Sequence, residues 1–215
     1  NKVGRPKKGE IKEPKLPTIL EQQQTMQTTQ EMLALISTKC AVGIKQNSKG
    51  NKEVWIGGKL HISAVDGDIP ITAFYSGANV HDSSVALPLI NETSKRVNYF
   101  YDLQDAGYDS EIIRNFSKKL GHRAIIDINP KNSKELKEKI ELQTQEQKKF
   151  KLLHLPQNLD IHHYNQRSMV ERVNKYLKED FGCNTIYYQG ATKVASVLAF
   201  GILSICIHQS LKLVT

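Results

Sequence analysis

Two β-rich runs joined by an Asp-Gly turn constrain the fold of this chain more than any other feature. The first run covers residues 54–65 and the second residues 70–75, with Asp66, Gly67 and Asp68 between them. Val, Ile, Tyr and Trp favour strands, and a short turn containing Asp-Gly joins two neighbouring strands antiparallel. The pattern therefore predicts a β-hairpin.

After the hairpin, the pattern changes to strands that alternate with helices. Strands are predicted at residues 97–103 and 123–127, and the helix between them is predicted to begin at a cap formed by Asp109 and Ser110 and to end at Gly121. A strand, a helix and a second strand at this spacing form a right-handed parallel crossover. An antiparallel hairpin followed by parallel strands and helices predicts a mixed-sheet α/β domain.

Three more helices complete the predicted domain. One follows Asp82 or Ser83, either of which can cap it, and two others cover about residues 166–181 and 192–213. The last contains the apolar run 194–207, which is shorter than the roughly 20 residues that a membrane span needs. We interpret it as a buried core helix.

Charge and composition divide the chain into segments. Of the formal net charge of +8, residues 1–60 contribute +6, from 11 Lys and Arg against 5 Glu and no Asp. We interpret residues 1–52 as a basic, Gln/Thr-rich arm or insertion, because this composition supports no packed core by itself. Residues 53–215 form the predicted main domain, and residues of about 130–155 form a charged insertion or solvent-exposed helix within it.

The cysteines and histidines suggest neither a disulfide framework nor a zinc site. The three cysteines are scattered without a C-x-x-C pair, and the first eight residues lack the apolar run of a secretory signal. Only His162 and His163 lie close together among the seven histidines, and adjacent positions rarely bind one metal. We therefore expect a protein of the reducing cytosol.

Two groups of residues suggest chemistry. Asp105 directly follows a predicted strand, and Gly107 loosens the loop, so its carboxylate can lie at the carboxyl edge of a sheet, where ligand-binding groups gather. An Asp before a helix is more often a cap or turn residue, and Asp109 is the better placed of the two for capping. Asp105 therefore remains open to both interpretations at this point.

The second group is a stripe of polar side chains on one predicted helix. Tyr164, Arg167, Glu171 and Lys178 are spaced so that they lie along one face or its entry turn. An exposed helix with an Arg167–Glu171 pair would show the same pattern, but the aromatic residue is unusual for a solvated stripe.

The stripe resembles the tyrosine, arginine, glutamate, lysine signature of insertion-sequence transposases of the DDE type. Asp105-x-Gly107-Tyr108 resembles the motif that carries the second catalytic aspartate of that family. Three further segments share the resemblance in the same order along the chain: 57–61, 77–83 and 171–174.

The resemblance implies a ribonuclease H-like fold and a metal-dependent reaction. Acidic residues of the family hold Mg²⁺ or Mn²⁺, and the metals activate water or a DNA 3′-hydroxyl for phosphoryl transfer. By this resemblance Asp105 is the second acid and Glu171 the third, and both are metal ligands. Arg167 and Lys178 would bind DNA phosphates, and Tyr164 would orient a displaced nucleotide.

The chain departs from the family where the first aspartate is expected. No Asp occurs between Asn1 and Leu60, and the aspartates Asp66, Asp68 and Asp82 fit turns or caps instead. We therefore expect an amino-terminally truncated copy that lacks the first strand and is inactive by itself. Two alternatives stay open: a DNA-binding remnant without catalysis, and a nuclease of the same fold.

The expected partner is double-stranded DNA, both element ends and target. Arg5, Lys7 and Lys8 in the basic segment are predicted to bind it, either as a plain basic linker or, because Gly4-Arg5-Pro6 resembles the core of an AT-hook, in the minor groove. A homodimer is one possible assembly, no membrane is expected, and the expected location is the bacterial cytoplasm, on the nucleoid.

Overall fold

The computed structural model describes residues 16–46, 50–129, 134–152, 163 and 165–214, and these contain five strands and seven helices. The strands are β1 (Ala41–Gln46), β2 (Lys52–Val65), β3 (Ile69–Gly77), β4 (Tyr101–Gln104) and β5 (Arg123–Ile126). The helices are α1 (Ile19–Gln23), α2 (Thr29–Ala34), α3 (Ala86–Arg96), α4 (Glu111–Lys119), α5 (Lys134–Leu152), α6 (Ser168–Glu179) and α7 (Ala191–Val214). Two short 3₁₀ turns lie at Asp82–Val85 and Ala106–Tyr108.

The strands form two sheets flanked by helices. β1, β2 and β3 make an antiparallel sheet in that order, and β4 pairs with β5 in parallel. The α/β class, the hairpin and the parallel crossover are confirmed. The predicted single mixed sheet is not, because no strand of the first sheet pairs with β4 or β5 within the described ranges.

The expectation of a missing first strand also needs correction. β1 precedes the hairpin and pairs with the first half of β2, so that Val42 lies opposite Ile56 and Ile44 opposite Val54. Gly43 is the single buried residue of β1. The sequence of this strand therefore does not show the alternation of buried apolar and exposed polar positions that would have predicted it. β1 forms because β2 is long enough to pair with a strand on each side.

Residues 16–46 belong to the packed fold, although the sequence interpretation placed them in an arm. Capping boxes start both early helices, with Thr18 and Glu21 on α1 and Thr28 and Glu31 on α2. Met32 is only 1% exposed in the main core. The packed part of the chain therefore begins before the predicted boundary at residue 53.

Two apolar cores hold the elements together. The first joins α2, α3, α4 and β5, and its buried residues are Met32, Ala86, Leu87, Ile90, Ile113, Phe116 and Ile126. The second joins the antiparallel sheet to α6 and α7 through Ile62, Val173, Leu177 and Ile205. The second core fixes the helix that carries the polar stripe against the hairpin.

The predicted charged insertion contains the long helix α5, whose described side chains are exposed apart from the half-buried Ile140. The apolar run near the carboxyl end lies in α7, which is 24 residues long. By length and composition alone α7 could cross a membrane, but such a test is also passed by core helices of soluble proteins. The interpretation as a buried core helix is correct for one side of α7 only, because Phe200 and Ile207 on the other side are exposed.

Candidate functional site

Asp105 lies where the sequence predicted, directly after β4. Its side chain is exposed, and Oδ1 accepts a hydrogen bond of 3.1 Å from the Gly107 amide, which caps the following 3₁₀ turn. The 3₁₀ turn can follow directly after Asp105 because Gly107 has no side chain to crowd the Asp105 carboxylate. Asp105 is therefore a capping residue, and its second oxygen stays free for a ligand.

Asp109 does not have the capping role predicted for it. Helix α4 begins after Ser110 without a side-chain capping bond. Asp109 instead accepts hydrogen bonds from Arg114 Nη2 at 2.9 Å and from the Asn129 amide at 2.8 Å. These bonds tie the loop after β4 to α4 and to the segment that follows β5, so Asp109 holds the loop that carries Asp105.

Asp82 is also not a helix cap. The ring of His81 caps the 3₁₀ turn by accepting from the Ser83 amide, and α3 starts without a side-chain cap. Asp82 pairs with Lys59 of β2 at 3.0 Å, and Lys59 also donates to the Val80 carbonyl at 2.9 Å. This lysine therefore joins two of the segments that resemble the transposase family.

Tyr108 joins the Asp105-x-Gly107-Tyr108 motif to the same place. Burial raises the pKa of its phenol, and the charges of Asp82 and Asp105 raise it further. Both carboxylates therefore act on Tyr108, which packs against the main core. The structure thus gathers Lys59, Asp82, Asp105 and Tyr108 around the two 3₁₀ turns.

The polar stripe lies on the exposed face of α6. Glu171 accepts from Arg167 Nη1 at 3.3 Å, and its side chain is 70% exposed. Lys178 is exposed in the last turn of the helix, while Val173 and Leu177 are buried on the opposite face. Three of the four predicted residues therefore share a face, in the arrangement that an ordinary exposed helix also has.

The remaining predicted site residues, Tyr164, Arg5, Lys7 and Lys8, lie outside the described residues.

No group of three or more His, Cys, Asp or Glu residues that could hold a metal ion occurs in the part of the chain that the structure describes. Each predicted acidic ligand has a partner close to it in sequence: Asp105 accepts from the Gly107 amide, and Glu171 pairs with Arg167. Free carboxylate oxygens suit a hard cation such as Mg²⁺ in type. Asp105 and Glu171 supply only two carboxylates, one fewer than a site with three acidic ligands needs.

Sequence reasoning missed the contact that positions the stripe. Arg172, next to Glu171, binds Asp68 in the hairpin turn with Nε 2.9 Å from both carboxylate oxygens. The partners are 104 residues apart, and no local pattern signals such a pair. The early helices were also missed, although Thr-x-x-Glu at residues 18–21 and 28–31 is a capping-box signature that could have revealed them.

A buried polar cluster below Asp105 was missed as well. Asp102 on β4 is 7% exposed and lies 3.5 Å from Nδ1 of His122, whose ring packs against Tyr99. Burial raises the pKa of Asp102, and Ser117, Tyr99 and His122 oppose this shift. The cluster fixes β4 to the loop before β5 through polar rather than apolar contacts.

Comparison with known proteins identifies the family through one match. A family model described as a transposase DDE domain matches residues 24–207. No curated protein and no solved structure matches the chain. The matched range contains all five strands, α2 to α6 and most of α7.

Proposed function

Because the chain belongs to the family of transposases with a DDE domain, we propose that it cleaves the ends of an insertion-sequence element and joins them to target DNA. The family serves in DNA transposition, with DNA as its partner, and the match over residues 24–207 carries the proposal. Both steps are phosphoryl transfers. Double-stranded element ends and target DNA are the proposed substrates, and the cytoplasm with its nucleoid is the proposed location.

We assign Asp105 and Glu171 as the carboxylates that hold Mg²⁺ or Mn²⁺. The bound metal would supply Lewis-acid activation of the attacking oxygen and would offset charge on the phosphoryl group. The support is chemical: both side chains are exposed, and Asp105 has one oxygen without a hydrogen bond. Among the described residues, no group of three or more His, Cys, Asp or Glu side chains could hold a metal ion.

Other residues of the chain hold the Asp105 loop in place or bind DNA. Asp109 and Tyr108 hold the loop of Asp105, and Lys59 neutralises Asp82 beside it. On α6, Arg167 and Lys178 present cations that suit DNA phosphates, because a guanidinium or ammonium gains affinity by releasing counterions. We also assign Tyr164, Arg5, Lys7 and Lys8 to DNA contacts, on the family resemblance and on charge.

The test is Mn²⁺ binding followed by electron paramagnetic resonance, with and without a short DNA duplex. We compare Asp105→Asn and Glu171→Gln with two matched controls. Asp66→Asn removes an exposed turn carboxylate, and Glu179→Gln removes an exposed carboxylate that pairs with Lys175 on the same helix at 3.7 Å. We expect both site variants to weaken Mn²⁺ binding at least tenfold and both controls to leave it unchanged.

The opposite result also has a clear meaning. If the chain binds duplex DNA equally well with and without Mn²⁺, and the site variants bind metal like the controls, the carboxylates form no metal site. The chain would then be a DNA-binding transposase remnant, and the proposal of catalysis would be wrong.

A further inference from the structure

Strand β4, which leads directly into Asp105, has little apolar anchorage. It is four residues long, and its partner among the described strands is β5 alone. Within the described part of the chain, neither apolar core contains a residue of β4. The one residue that β4 buries is Asp102, which is 7% exposed. The position of the strand therefore depends on what holds this carboxylate.

Three side chains from three different segments face Asp102. Ser117 is a fully buried residue of α4, and Tyr99 precedes β4. His122 lies just before β5, with Nδ1 3.5 Å from Asp102 Oδ2. Burial raises the pKa of the Asp102 carboxyl, whereas these three side chains lower it. They therefore stabilise a negative charge on Asp102, and an apolar side chain in its place would leave them without this partner.

Helix α4 contacts the chain on both sides of Asp105. Ser117 faces Asp102, which lies three residues before Asp105. Arg114 Nη2 donates at 2.9 Å to Oδ1 of Asp109, which lies four residues after Asp105. Side chains three positions apart lie on the same face of a helix. One face of α4 therefore holds both ends of the segment that carries Asp105.

We propose that Asp102 is a positioning residue for Asp105, because it fixes the carboxyl end of β4 against α4. The inference rests on the role proposed above for Asp105 as a metal ligand. Such a ligand must be held within about 0.5 Å of its working geometry. The hydrogen bond of Asp105 itself, from the Gly107 amide, is local, so the place of its carboxylate in the fold is set by the segments on either side.

A polar anchor suits this purpose better than an apolar one. Apolar burial is not directional, whereas hydrogen bonds weaken steeply when their distance or angle changes. A shift of β4 along α4 would separate Asp102 from Ser117 and leave both polar groups buried without partners, which is costly. The cluster therefore favours one position of β4.

The test is nuclear magnetic relaxation of the backbone amides of residues 104–108 in the full chain. Asp102→Leu removes the acceptor at a similar size, and Asp102→Asn keeps a side-chain oxygen that can accept. We expect order parameters of about 0.85 in the unmodified chain and in Asp102→Asn, and below about 0.6 in Asp102→Leu. Asp68→Asn is the matched control, since it removes a carboxylate that pairs with Arg172 far from β4, and it should leave these values unchanged.

Chemical denaturation of the same variants separates positioning from stability. If Asp102 only stabilised the fold, Asp102→Leu would lower the free energy of unfolding without loosening residues 104–108, and the proposal would be wrong. An equal loss of order in Asp102→Asn or Asp68→Asn would also overturn it. If Asp102→Leu does not fold, Ser117→Ala removes the same contact from α4 and should lower the same order parameters, and unchanged values would then contradict the proposal.

Mn²⁺ binding followed by electron paramagnetic resonance separates this inference from the proposed function. If the unmodified chain binds Mn²⁺, Asp102→Leu should weaken binding on the order of tenfold, while Asp102→Asn and Asp68→Asn leave it unchanged. Unchanged binding in Asp102→Leu would overturn the positioning role. If the unmodified chain binds no Mn²⁺, the metal site proposed above is wrong, and the order parameters alone decide whether Asp102 holds the Asp105 segment.

Discussion

Arg172 on α6 holds Asp68 in the hairpin turn, with Nε 2.9 Å from both carboxylate oxygens and Nη2 2.7 Å from Oδ1. The Asp68 side chain is 15% exposed and that of Arg172 is 49% exposed. Two-point contacts between guanidinium and carboxylate are stronger than single ones because the geometry of both groups is fixed. The pair therefore sets where α6, and with it Glu171, lies along the sheet.

Breaking this pair should destabilise the fold measurably. Asp68→Asn keeps a residue that tolerates the positive φ of 58° at this turn, so the change isolates the ion pair. We expect the free energy of unfolding to fall by about 1 kcal/mol, a modest value because Arg172 is half exposed. Chemical denaturation measures this fall as a lower denaturant midpoint, with the slope of free energy against denaturant concentration unchanged.

Glu179→Gln is the matched control, since it removes an ion pair on the same helix whose two partners are both more than 60% exposed. It should change the free energy of unfolding by less than about 0.5 kcal/mol. Equal losses in the two variants would mean that Asp68 contributes no more than a surface charge.

Gly77 at the end of β3 should not tolerate a side chain. A methyl group there would meet the backbone carbonyl oxygen of Lys39, which cannot move freely because the Gly77 amide donates to the neighbouring Ser37 carbonyl at 2.8 Å. We expect Gly77→Ala to lower the free energy of unfolding by about 2 to 3 kcal/mol. Denaturant midpoints measure the loss.

Gly121→Ala provides the comparison for Gly77→Ala. Gly121 has a φ of +85°, and nothing lies within 4 Å of an added methyl group, so only the backbone conformation is penalised, by about 1 kcal/mol. If Gly77→Ala cost no more than Gly121→Ala, the steric argument at Lys39 would be wrong.

The buried carboxyl of Asp102 should give the stability of the protein a recognisable pH dependence. Burial raises its pKa in the fold, so the folded state binds this proton more tightly than the unfolded state does. Its contribution to stability is fully present below the ordinary carboxyl pKa of about 4 and is lost as the pH rises through the folded value. The slope is at most about 1.4 kcal/mol per pH unit.

Asp102→Asn measures this effect because the amide has nearly the same shape and does not titrate. The stability of the unmodified protein relative to Asp102→Asn should fall as the pH rises above about 4. Asp66→Asn controls for the loss of one surface charge. A difference between the unmodified protein and Asp102→Asn that does not vary with pH would show that His122, Tyr99 and Ser117 fully offset the burial.

Local patterns in the sequence predicted those parts of the fold that depend on neighbouring residues. The hairpin follows from two β-rich runs around Asp66 and Gly67, and the parallel pair β4 and β5 follows from the spacing of two strands and one helix. β1 was missed because its strand character comes from pairing with the long β2 rather than from its own alternation. The two early helices were missed because their polar composition outweighed their capping signals.

Contacts between distant residues could not be predicted in the same way. Gln23 is completely buried because its amide donates to Met32 and Ser84 carbonyls, and nothing in a Gln-rich segment singles this glutamine out. In the site, spacing predicted that Arg167, Glu171 and Lys178 share a face, but not that Asp82 pairs with Lys59. Spacing also could not predict which side of the largely apolar α7 would be covered.

DNA binding should depend on the cations of α6, and salt is the sharpest probe of it. Each phosphate contact releases counterions and adds about 0.9 to the slope of log affinity against log salt. Lys178→Ala should therefore weaken binding to a short duplex and reduce this slope by about that amount, whatever the DNA sequence. Fluorescence anisotropy between about 50 and 200 mM salt measures both quantities. The control Lys119→Ala removes another exposed lysine, from the last turn of α4, and should change neither the affinity nor its salt slope. An equal loss in both variants would mean that only the net charge of the protein matters for DNA binding.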